Sequence, residues 1–70
     1  MVEVFKTTIE NSEQAGMVKE ILSELLGYSN VAFDLEDCDN VLRIESNNVN
    51  ARLIIKALAI LKIECQILED

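Results

Sequence analysis

The 70-residue chain has no histidine, no proline and no tryptophan, and it holds only three other aromatics and two glycines. Without imidazole the commonest general base and nitrogen ligand is missing. Any catalysis would fall to carboxylates, lysines, Tyr28 or a thiol. The absence of proline and the scarcity of glycine leave few obligatory breaks, so the composition, half of it apolar, points to compact regular structure. Cys38 and Cys65 are too few for a disulfide framework and do not form a CxxC pair. Positive charge is scarce as well. Six basic residues stand against thirteen acidic ones, a net charge of -7 that repels phosphate, with no Lys/Arg cluster along the chain to offset it. Nucleic acid is therefore excluded as a partner. Lys56 and Lys62 break the longest apolar stretch well short of a membrane span, and a strand-like pattern begins at Val2 where a signal peptide would lie. A soluble cytoplasmic protein is expected, and residues 1–70 are read as a single small domain.

What the chain does have is one strongly apolar helical stretch over 51–63. Leu53, Ile54, Ala57, Leu58 and Leu61 fall at spacings of three and four, predicting one buried face. Ile55, Ala59 and Ile60 widen the apolar surface beyond that face, and only Arg52, Lys56 and Lys62 interrupt it. Such a helix lies across a sheet beside a second helix, or it covers a partner.

The remaining elements follow in order. Val, Thr, Phe and Ile over 2–9 predict a first strand, with Val2 and Val4 alternating against Glu3 and the face of Phe5 undecided. Asn11 is an N-cap candidate, and Gln14 three residues on completes a capping box. The first helix runs to about Leu26, carrying Ala15, Val18, Leu22 and Leu25 on one face with Ile21 widening it, and Gly27 stops it. Val31, Phe33 and Leu35 alternate with Ala32, Asp34 and Glu36 in a second strand, turn chemistry follows at 37–40, and Val41 to Glu45 form a third. Asn47, Asn48 and Asn50 offer caps for the second helix, and 65–68 forms a short last strand.

The order is βαββαβ. Right-handed crossovers and a hairpin between the middle strands give a four-stranded antiparallel sheet ordered 4-1-3-2 with both helices on one face, a ferredoxin-like α+β sandwich. This topology gathers the 10–14 loop, the acidic 34–40 turn and residues 62–65 at one end.

With these elements placed, the chain resembles the heavy-metal-associated domains of copper chaperones and metal-ATPase modules. Leu26-Gly27-Tyr28, Val31-Ala32-Phe33-Asp34-Leu35 and Cys65-Gln66-Ile67-Leu68 match that family's turn and strand patterns. Its Met-x-Cys-x-x-Cys metal loop corresponds to Ile9-Glu10-Asn11-Ser12-Glu13-Gln14, where neutral amides replace both thiolates. The resemblance implies the fold. The amides are poor ligands for Cu(I) or Zn(II), so the ligand role does not carry over.

Other features have plain readings. Asp34-Leu35-Glu36-Asp37-Cys38-Asp39 lacks the spacing, glycine and closing glutamate of an EF-hand and reads as a solvated acidic turn. Cys38 and Cys65 lie on opposite edge strands, three strand spacings of about 4.8 Å apart, too far for a disulfide. Cys65 reads as a core residue, Cys38 as the more exposed thiol, and Tyr28 as a rim residue. Acylphosphatases share the fold, but no glycine-rich phosphate loop or arginine lies between Thr8 and Ala15.

The expectation is a non-catalytic module without cofactor that binds a protein partner or a second copy of itself through Ile55, Ala59 and Ile60. Two alternatives stay open: a metal carrier with an atypical site near Cys38 and Cys65, with Asp37 and Asp39 as further ligands, and a regulatory domain that binds a small molecule.

Overall fold

Strand β1 (Val2–Thr7) settles the question left by its mixed pattern, because it turns Phe5 and Thr7 into the core and leaves Val2 and Val4 on the open face of the sheet. The coordinates are a computed structural model that describes residues 1–35 and 40–68. After β1 come α1 (Ser12–Glu20), which continues into a π-helical turn (Ile21–Leu25), then β2 (Asn30–Asp34), β3 (Val41–Glu45), α2 (Ala51–Ile60) and β4 (Cys65–Ile67). The sheet is antiparallel in the order β2-β3-β1-β4, the ferredoxin-like arrangement expected.

Register places the core. Phe5 lies opposite Leu42 on one side and Ile67 on the other, and Ile44 lies opposite Val31. Against this face pack Ala15, Val18 and Leu22 from the first helix and Ile54 and Leu58 from α2. Burying Phe5 removes more apolar area from water than burying Val2 or Val4 would, which decides the parity of β1. Thr7 is carried inward with it at little cost. Its hydroxyl donates to the Asn40 carbonyl at 2.7 Å and accepts from the Ile9 N–H at 3.2 Å, so no polar atom there is left unpaired.

Both helices depart from a simple periodic reading. In the first, Leu25 is 76% exposed and Leu26 is half-buried instead. The π turn explains this. Its wider turn takes up an extra residue, so the position that returns to the core face after Leu22 is Leu26 rather than Leu25. Gly27 then adopts a φ of +79°, and the Tyr28 N–H reaches the Leu22 carbonyl at 2.9 Å to close the helix end. In α2 only Ile54 and Leu58 are buried; Ala57 and Leu61 are half-buried, and Leu53, expected on the inner face, is 43% exposed. The helix is covered on one side only.

Tyr28 is not a rim residue. It is buried, and its hydroxyl accepts the Asn50 N–H at 2.9 Å, which holds the residue whose side chain caps α2 through the Leu53 N–H at 3.1 Å. Of the three candidate caps, Asn50 is the one used.

Candidate functional site

The end of the sheet where β1 stops and β4 starts is built by two adjacent threonines. Thr7 ties β1 to Asn40, while the Thr8 hydroxyl accepts the Glu64 N–H at 2.9 Å and the Thr8 N–H donates to the Glu64 carbonyl at 3.1 Å. These bonds hold the 8–11 loop against the turn that precedes β4. Lys62, with a φ of +63°, makes that turn possible. Thr–Thr at a strand end carries no distinctive sequence signal, and the role of the pair emerges only from the topology.

Within the loop, Ile9 is wholly buried and anchors the backbone in the core. Asn11 caps α1 by accepting the Gln14 N–H at 2.8 Å. Gln14 closes the loop from the other side, but its Oε1 takes the N–H of Glu10 at 2.7 Å, one residue before the N–H a capping box uses. Both amide oxygens at the positions where the resembling family has thiolates are therefore engaged by backbone donors. Replacing Asn11 with alanine is expected to cost about 1 kcal/mol, because the Gln14 N–H loses its partner. A shift of the urea midpoint checks this, and an unchanged midpoint would show that water serves the helix end equally well.

Cys65 lies in β4 opposite Thr7 and is buried; burial pushes its thiol up from 9.0 to about 11, away from the thiolate that soft metals bind. Cys38, Asp37 and Asp39 lie outside the described residues. Among the described residues, no three His, Cys, Asp or Glu side chains come together as a metal would require.

The remaining candidates lie on α2. Ile55 is half-buried and Ala59 exposed, and both line shallow depressions between the helix and β4, together with Ile63, Cys65 and Ile67. Ile60 stands apart from them. It is 82% exposed, one and two turns along the helix from Lys56 and the partly exposed Leu53. The first helix covers neither Ala59 nor Ile60, so α2 presents apolar surface in two directions, toward the edge of the sheet and away from it.

The backbone as a whole superposes on a known one. The fold is that of a copper-transporter domain. The solution structure of the yeast copper transporter domain Ccc2a, determined in apo and Cu(I)-loaded states, matches with a TM-score of 0.81 over 99% of this chain and 96% of that one, at 20% sequence identity. Identity that low carries the fold and not the chemistry. No family model matches the chain, and no curated protein matches it. No helix among the described residues is long and apolar enough to cross a membrane.

Proposed function

We propose that this chain is a non-catalytic cytoplasmic module that keeps the copper-transporter-domain fold, binds no metal and docks another protein through α2. The observation that carries this reading is the apolar surface of α2 left uncovered by its own chain, with Ile60 82% exposed on one side and exposed Ala59 and half-buried Ile55 on the side toward β4. The loop supports it. Asn11 and Gln14 offer neutral amide oxygens already committed to N–H groups, where Cu(I) or Zn(II) needs soft anionic sulfur. The alternative of a site near Cys38 and Cys65 is weakened on its Cys65 side by the burial and raised pKa of that thiol.

Two measurements test the reading. Competition with a chromophoric Cu(I) chelator should leave the metal with the chelator; one-to-one transfer at submicromolar affinity, abolished by changing Asn11 and Gln14, would refute the metal-free half. Ile60→Lys should leave the stability within about 0.5 kcal/mol, since the site is exposed and a cation suits a helix C-terminus. The same change should abolish association. An unfolded variant would mean that Ile60 belongs to the core.

A further inference from the structure

Among the described residues, strand β4 is an edge, paired with β1 alone. The Thr8 N–H donates to Glu64 and the Leu68 N–H donates to Val4 at 2.8 Å, so residues 64, 66 and 68 exchange the bonds with β1. The alternation of an antiparallel ladder then turns the N–H and C=O of Cys65 and Ile67 outward, and no hydrogen bond among the described residues occupies them. Exposed edges of this kind accept a further strand.

Above that free edge hangs one face of α2 and its following turn. Each of Arg52, Ile55, Lys56, Ala59 and Lys62 stands three or four positions from another of the set, and all five line the depressions that open onto Cys65, Gln66 and Ile67. Three cations separated in sequence thus come onto one stripe, where the sequence alone showed no cluster. None of the three forms an ion pair with another described residue, and residues 51–62 contain no acid. With a net charge of -7 on the chain, that stretch carries +3 and the rest carries -10. Among the described residues, Glu64 is the one carboxylate lining the groove.

Resting on the reading of α2 as a docking surface, we propose that the occupant is an extended acidic segment of a partner protein, which adds to the sheet as a fifth strand beside β4. Its peptide groups pair with Cys65 and Ile67. Its alternate side chains project toward α2, apolar ones onto Ile55, Ala59 and Ile67 and carboxylates to Arg52, Lys56 and Lys62. A second copy fits less well. Two-fold pairing of β4 with itself would bring two +3 stripes together, whereas an acidic strand meets unlike charge within the 8 to 10 Å over which salt leaves the field effective. Free peptide groups beside the apolar residues select a strand over a helix, which would leave those groups unpaired.

A synthetic acetylated octapeptide repeating Thr-Val-Thr-Glu tests this, with lysine replacing glutamate in the control, followed by amide NMR and hydrogen exchange on the intact chain. The free protein should show fast exchange at Cys65 and Ile67, slowed at least tenfold on binding the glutamate peptide. Ile67→Pro removes an outward N–H without touching the β1 ladder and should lower affinity at least tenfold in a folded protein. Should that variant unfold, the double change Arg52→Glu and Lys56→Glu decides, by switching preference to the lysine peptide. Equal binding of the two peptides by the wild type, or full binding by folded Ile67→Pro, overturns the proposal. So does a wild-type dimer that Ile67→Pro dissociates, which would make the occupant a second copy. If the peptide fails while Ile60→Lys still abolishes association, the docking module stands and the edge does not. Tight Cu(I) binding would instead refute the metal-free reading and leave the strand result untouched.

Discussion

Phe5→Ala should remove most of the stability of the fold at 25 °C. The ring is completely buried between Leu42 and Ile67, in a core whose other large, fully buried side chains are Ile9, Val18, Leu22, Ile44, Ile54 and Leu58. Truncating a buried Phe to alanine costs about 3–5 kcal/mol, the lost transfer free energy plus the cavity. A domain of this length sits near the lower limit of about 5 kcal/mol of total stability. With a urea dependence near 1 kcal/mol/M for so short a chain, the midpoint should fall by about 3 M or more. Phe5→Leu keeps most of the volume and should lose much less. A loss below about 1 kcal/mol for Phe5→Ala would place the ring outside the core and reverse the parity of β1.

The thiol of Cys65 should be close to inert in the native protein and should make stability fall at alkaline pH. Burial raises its pKa from 9.0 to about 11, two units, so at any pH below 9 the thiolate fraction drops about a hundredfold. Iodoacetamide at pH 8 should label Cys65 at least a hundredfold more slowly in the folded chain than in urea, as read by peptide mass spectrometry. The sign of the stability effect follows from which state holds the proton. Below pH 9 the thiol is protonated in both states and nothing is lost. Between pH 9 and 11 the unfolded chain releases its proton while the folded one retains it, so folding weakens by about 2 to 3 kcal/mol across that window. Cys65→Ala cannot ionise there, and the gap between its alkaline melting curve and that of the wild type isolates the term. Identical alkaline behaviour in the two proteins would mean that solvent reaches the sulfur.

Much of the architecture is legible in the sequence because its signals are local. Val31 and Phe33 alternate cleanly, Asn11 and Gly27 bracket the first helix, and 41–45 is a strand, as found. The discrepancies arise where a tertiary term outweighs a local one. Val2 and Val4 set up a plausible inner face for β1, but Phe5 buries more area, and the hydroxyl of Thr7 finds partners 2 and 33 positions away. Leu25 fits a 3.6-residue stripe that the π turn interrupts, and nothing in Ile21-Leu22-Ser23-Glu24-Leu25 announces the extra residue. Tyr28 gives no hint that its hydroxyl will meet a backbone group 22 residues on. For the candidate site, the sequence shows amides where the resembling family has thiolates, whereas the alignment of Arg52, Lys56 and Lys62 over a free strand edge requires knowing which side of α2 faces β4.

The central position of β1 has a consequence for how the chain acquires its structure. The strand made first is flanked by β3 and β4, and its end is tied to Glu64 by bonds spanning 56 positions. Such non-local closure places the sheet among the slower folds for its size, since loop entropy must be surrendered before the pairing returns anything. During synthesis Phe5 has neither Leu42 nor Ile67 to pack on until positions 37 and 62 residues further along have been made. A nascent chain therefore carries Phe5, its largest fully buried side chain, without its sheet partners until the residues of β4 have followed it.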